Sequence, residues 1–217
     1  MIPIVQLDPD NPFPLLITTT TFKNSQPHVE NFRIEQMDWS DPVGAALRDA
    51  QQAELDARYG DTGKEPGIKP SAENIALFVV SYPVPILDSG SPDPSESIPI
   101  ACGALRKLDQ DYMELKRMYA IQSVRGSGAA LSVLTALEHH ARNTKGIKGI
   151  KLEAGNLHVE AISYELSAAG RTSSSSKVKH RQVMARPAEP PGAKAIVEFG
   201  DIFLNASLAQ TKRLEVV

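Results

Sequence analysis

Apolar and polar positions alternate in some stretches of this chain and recur at helical spacing in others, and that division predicts its elements. Phe32 and Ile34 alternate with charged neighbours up to Met37, the pattern of a half-buried strand. Val43, Ala46, Leu47, Ala50, Ala53 and Ala57 then recur at helical spacing. Asp41 can accept hydrogen bonds from first-turn amides, Pro42 has no amide to leave unpaired, and Gly60 can close the helix in a left-handed conformation. Ile75 to Tyr82 is an apolar, β-branched and aromatic run suited to a buried strand, stopped by Pro83 and Pro85. Two further strands, Ile98 to Leu108 and Tyr112 to Ile121, flank Asp109-Gln110-Asp111 and predict a hairpin. Ser127 to Asn143 holds no proline and carries an apolar stripe through Ala130, Leu131, Leu134, Leu137 and Ala141, a helix opened by glycines. Ile150, Leu152 and Ala154 alternate as a strand, and Val159 to Ala169 reads as another helix closed by Gly170.

The flanks differ. Residues 1–30 are broken by Pro3, Pro9, Pro12, Pro14 and Pro27 around one β-branched run, Ile17 to Thr21, that could make a strand, and read as an N-terminal extension leading into the domain. After Gly170 come the serine run Ser173 to Ser176, the basic Lys177, Lys179, His180 and Arg181, and the breaker-rich Pro187 to Gly192. Ala195 to Phe199 and Ile202 to Leu208 are apolar again and either close the sheet or leave an edge open to association, a homodimer being one outcome. The organisation expected is therefore an extension at 1–30, one domain at 31–170 and a divergent tail at 171–217.

Composition narrows the function. With 217 residues, 41% hydrophobic and 23% charged, the chain can bury a core, which excludes a fibrous or disordered protein. A net charge of −3 argues against nucleic acid as a partner. No apolar run approaches the ~20 residues of a membrane span, and Met1 to Phe13 lacks a basic leader, so a cytoplasmic protein is expected. Cys102 is the only cysteine, which forbids an internal disulfide or thiolate cluster. His139 and His140 are adjacent and point about 100° apart on a helix, so no metal site is expected.

The stretch that carries chemistry is Arg125-Gly126-Ser127-Gly128-Ala129-Ala130, between a strand and a helix. Glycines at a helix start let a ligand approach main-chain amides at the positive end of the helix dipole, which suits a phosphate or pyrophosphate. The same glycines could simply make a tight turn. No Lys-Ser or Lys-Thr follows them and no third glycine stands at the dinucleotide offset, so both common nucleotide motifs fail.

Taken together, Ala101-Cys102-Gly103-Ala104-Leu105-Arg106, then Glu114 to Ala120, then Arg125-x-x-Gly128-x-Ala130 and the helix after it resemble the GNAT N-acetyltransferase superfamily over roughly Phe32 to Gly170. The resemblance implies an α/β (α+β) fold: a mixed, mostly antiparallel central sheet flanked by helices, with a splayed strand pair holding the cofactor. It further implies acetyl-CoA as co-substrate, its pyrophosphate held by the amides of Arg125, Gly126, Ser127, Gly128, Ala129 and Ala130. The backbone of Met118, Tyr119 and Ala120 would pair with the pantetheine arm, and an amide of Met118 or Tyr119 would polarise the thioester. Asn156 would touch the cofactor or cap a helix. Glu114 would serve as the base that deprotonates the amine, or be a solvent-facing strand carboxylate. Tyr164 would protonate the departing thiolate, or pack in the core, because it stands one place early counted from Ala161. The acceptor would be a small-molecule amine or a lysine side chain. The other functional class compatible with these residues is a CoA-binding module without turnover.

Overall fold

The computed structural model describes residues 12–59, 68–84, 98–154 and 193–198. Gly60, Asn156, Tyr164, the helix expected over 159–169 and most of the tail lie outside the described residues. The strands are β1 (Leu15–Lys23), β2 (Gln26–Gln36), β3 (Ile75–Pro83), β4 (Ala101–Lys107), β5 (Tyr112–Ala120), β6 (Gly149–Ala154) and β7 (Ala193–Glu198). The helices are α1 (Pro42–Tyr59), between β2 and β3, and α2 (Ala129–Asn143), between β5 and β6.

Among the described residues the strands form one sheet in chain order, β1 to β7. Every neighbouring pair is antiparallel except β5 and β6. That exception follows from α2, since two parallel strands need a crossover long enough to carry the chain back. The fold class is thus a mixed, mostly antiparallel sheet flanked by helices.

Alternation along the strands builds two cores. Leu77 and Val79 of β3 join Leu15, Ile17, Ala101, Leu105, Met113 and Leu115 against Val133, Leu134 and Leu137 of α2. The intervening Phe78 and Val80 join Cys102, Ala104 and Leu47 of α1. Successive strand side chains point to opposite faces, so the two helices cover opposite faces of the sheet. The 3.1 Å contact between Ser81 Oγ and Ser132 Oγ lets a hydroxyl sit within the α2 core.

Two expectations need correction. The stretch expected as an extension supplies an edge hairpin from Leu15 onward: Leu15, Ile17 and Thr19 are buried beneath α2, and β1 pairs with β2 along its whole length. Its apolar residues are too few and too interleaved with threonines to signal a core strand from local pattern. The alanine stripe of α1 also faces the wrong way, because Ala46, Ala50, Ala53 and Ala57 are exposed. The seated face is Gly44, Leu47 and the polar Arg48 and Gln51. A Cβ on Gly44 would overlap Phe78 Cε1, and the Arg48 guanidinium lies 4.0 Å from the Trp39 ring centroid and 5.0 Å from that of Phe78. Long polar side chains bury their stems and stack on rings, which a count of apolar positions misses. Trp39 meets Phe78 edge-on at 5.4 Å between ring centroids, as a packing anchor.

Gly103 has no room for a side chain: a Cβ there would stand 2.6 Å from Met118 Sδ, 2.7 Å from Val133 Cγ1 and 3.0 Å from Leu137 Cδ1. Gly103→Ala should destabilise the chain by about 1–3 kcal/mol through overpacking, read as a lower urea midpoint at unchanged slope.

Candidate functional site

The site is organised by an irregularity in β5. Against β4 the register passes from Ala104↔Lys116 to Cys102↔Tyr119, so Arg117 and Met118 together oppose the single Gly103. Arg117 takes a positive φ of 55°. An extra residue of this kind bends and twists a strand. On the other side β5 pairs with β6 only from Tyr112↔Gly149 to Leu115↔Leu152. From Lys116 to Ala120, β5 has no strand partner on that side among the described residues, and the two parallel strands open into a wedge.

Backbone direction identifies which groups face the opening. Ile121 N donates to Ile100 O at 3.0 Å, on the β4 side. Backbone groups alternate along an extended strand, so Tyr119 also faces β4, while Met118 and Ala120 face the wedge. Two side chains cover the carbonyls there. Gln51 Nε2 of α1 donates to Met118 O at 2.8 Å, and Arg125 Nε donates to Ala120 O at 3.1 Å.

After β5 the chain makes a 3₁₀ turn, Gln122–Val124, and reaches α2 through Arg125 to Gly128. Gly126 and Gly128 have positive φ, 81° and 104°. The two glycines have different tasks. A Cβ on Gly128 would overlap Thr19 Oγ1 and stand 2.9 Å from Thr19 Cβ, so this glycine seats the start of α2 on β1. A Cβ on Gly126 meets nothing within 4 Å. Ser127 N is taken by Val124 O at 3.1 Å, and Ala129 N is met by Ser127 Oγ at 3.3 Å. Ala130 and Leu131 lie in the first turn of α2, where no intrahelical acceptor exists for their amides. Of the amides expected to form a cradle, those of Arg125, Ser127 and Ala129 are engaged within the loop, Arg125 N by Gln122 O at 3.2 Å, while those of Ala130 and Leu131 have no intrahelical acceptor.

Arg125 also ties the loop to α1. Its Nη2 lies 2.6 Å from Glu54 Oε2. The hydrogen bond from Arg125 holds the Glu54 carboxyl below the usual glutamate range, against a smaller opposing effect of burial. Gln51 and Glu54 stand three residues apart, on one face of α1, and neither is singled out by apolar periodicity. A polar stripe Gln51, Glu54, Arg58 beside the alanines is the signal that would have found them.

Glu114 is neither solvent-facing nor free. It is 6% exposed, and its Oε2 accepts from Arg106 Nε at 3.0 Å and from Arg106 Nη2, while Oε1 lies 3.1 Å from Lys116 Nζ. Arg106 Nη1 in turn donates to Ile68 O at 2.6 Å. Arg106 and Lys116 close around the two carboxylate oxygens, so the group forms part of a buried charged cluster between β4 and β5.

Burial pushes the Cys102 thiol up to about 12, and its Sγ donates to Arg117 O at 3.4 Å. Burial lowers both His139 and His140, and no cluster of metal-ligating side chains occurs among the described residues. No helix among them is long and apolar enough to cross a membrane. A cavity of about 570 Å³ lies where β2 leaves β3, lined by Phe13, Glu35, Trp39 and Phe78 among others. It sits at the start of β3, the end of the sheet away from the wedge.

No family model matches the chain, and no curated protein does. Solved structures do. A Klebsiella pneumoniae protein assigned to the acyl-CoA N-acyltransferases aligns at 17% identity over 77% of this chain and 97% of its own, with a TM-score of 0.53. A domain from Methanocaldococcus jannaschii aligns at 11% identity over 78% and 99%, with a TM-score of 0.52. A GNAT family acetyltransferase from Elizabethkingia anophelis, solved with acetyl-CoA bound, aligns at 14% identity over 77% and 98%, with a TM-score of 0.46. The alignment with the Klebsiella protein, at a TM-score of 0.53, shows that the chain has a GNAT-like fold.

Glu114→Gln leaves Arg106 and Lys116 buried with no full counter-charge, and should cost about 3–5 kcal/mol of stability in a urea titration. Full stability with loss of activity would instead make Glu114 a reacting group. For Glu54, a lowered folded value means that its stabilisation is complete above the unfolded glutamate range and is lost as pH falls through the lowered value. Wild type should therefore exceed Glu54→Gln in melting temperature at pH 7, and the gap should close below about pH 4.

Proposed function

We propose that the chain is an acetyl-CoA-dependent N-acetyltransferase that moves an acetyl group directly to a primary amine within a ternary complex. The observation that carries this reading is the wedge beyond Leu115↔Leu152, followed at once by a glycine loop that leads to the first-turn amides of α2. An extended, amide-bearing arm can lie along the unpaired edge as an added strand would. A pyrophosphate at its end meets Gly126, the first-turn amides of α2 and the Arg125 guanidinium, a combination of dipole and charge suited to an anion. The residues present thus fit the co-substrate, and no metal enters the scheme.

Acetyl-CoA supplies the thioester. Of the two amides expected to polarise its carbonyl, that of Met118 faces the wedge and that of Tyr119 faces β4, so Met118 takes the role. With Glu114 enclosed by Arg106 and Lys116, the amine's proton passes to water or to a group outside the described residues, and Tyr164 remains the candidate acid for the thiolate. Asn156 is kept as a cofactor contact on the same footing. The acceptor is a small-molecule amine or a lysine side chain, and the protein acts in the cytoplasm.

The enclosure of Glu114 favours a second reading, a CoA-binding module of the same fold without turnover. Titration calorimetry should show acetyl-CoA binding to the wild type and at least a tenfold loss for Gly126→Trp, whose ring would stand in the loop's open space. Gly128 is unsuited to this test because any side chain there collides with Thr19. Thiol release in the presence of an amine panel separates the readings: release with one amine supports the transferase, and binding without release for any amine supports the module. Absence of acetyl-CoA binding by the wild type overturns both.

A further inference from the structure

The carboxamide of Gln51 is satisfied at one end only. Its Nε2 donates to Met118 O at 2.8 Å, whereas its Oε1 is buried with no donor. The orientation is set by chemistry: with the amide reversed, two oxygens would face each other across the same contact. A buried acceptor without a donor is costly, and native structures hold one where another molecule completes it.

The location says which molecule. Met118 O is one of the carbonyls that β5 turns toward the wedge, and Gln51 covers it. An arm laid along that edge cannot place an N–H on Met118 O while Gln51 holds it, and the acceptor left without a donor beside that carbonyl is Gln51 Oε1. Gln51 thus exchanges one edge acceptor for another, moved outward from the strand toward α1. The second covered carbonyl, Ala120 O, is held by Arg125, which offers donors only. The edge therefore presents an acceptor at Gln51 followed by a cation at Arg125, matching a ligand that carries an amide N–H and then an anionic group.

We infer that Gln51 is a positioning residue for the acyl donor: its Oε1 accepts the hydrogen bond of an amide N–H in the pantetheine arm while its Nε2 stays on Met118 O. This rests on the acetyl-CoA reading above. The amide so held fixes how far the arm advances along β5, and with it where the thioester lies relative to the Met118 amide.

The test compares two probes, acetyl-CoA and adenosine 3′-phosphate 5′-diphosphate, which keeps the phosphates and lacks the arm. Calorimetry on Gln51→Met, close in length and without polar hydrogen bonding at its end, should show acetyl-CoA affinity falling roughly five- to tenfold, the worth of one hydrogen bond. Affinity for the armless nucleotide should be unchanged. Gln51→Ala should repeat the pattern, and the nucleotide's undiminished binding certifies that each variant is folded. Equal losses for both probes would make Gln51 merely structural, and unchanged affinity for both would remove it from the site; either overturns the inference while leaving acetyl-CoA binding intact. If the wild type binds neither probe, the acetyl-CoA reading itself fails, and this inference with it.

Discussion

A β-strand that parts from its neighbour must find partners for the backbone groups it exposes, and this requirement shapes everything around β5. The bulge at Arg117 and Met118 bends the strand away from β6, and the groups from Lys116 onward lose their ladder on that side. An unpaired edge is a liability unless it is covered, and among the described residues it is covered by side chains instead of by a strand. Gln51 reaches down from α1 and Arg125 reaches back from the loop, each capping a carbonyl. Gln51 and Arg125 protect those two carbonyls, and what the edge presents there is set by the two side chains.

The same parts hold the site rigid. Glu54 anchors Arg125 to the helix that carries Gln51, joining the loop and α1 across the mouth of the wedge. Thr19 pins the start of α2 through close approach to Gly128, so the edge hairpin is a support for the loop. Beneath, Arg106, Glu114 and Lys116 bind β4 to β5 on the α1 face, just before the bulge. The irregular segment therefore runs between two fixed ends, the buried ion cluster and the seated helix, which leaves its direction little freedom.

What the residue pattern made legible was local. Alternation located β2 from Phe32 onward and β6, and the apolar stripe located α2, because an element that buries one face repeats with its own period, while apolar runs between turn residues located β3, β4 and β5. The glycine loop was legible as a place where backbone meets a ligand, since positive φ at a helix start requires residues without a Cβ. Ile17 to Thr21 was legible as a β-branched run able to make a strand, but its place in the sheet was not, because Thr19 is buried only where α2 lies across it.

Pairing and environment were decided by the tertiary fold alone. Nothing adjacent to Glu114 announces that Arg106, eight positions earlier, and Lys116 both turn inward to it, since strand register brings them together. The polar face of α1 became the seated face because Arg48 stacks on Trp39 and Phe78 while Gln51 satisfies a carbonyl of a distant strand, and the alanines were left to water. Periodicity reports what one segment would bury if it stood alone. Which groups complete each other's hydrogen bonds and charges depends on chain segments meeting across the fold, and that information is held by no segment singly.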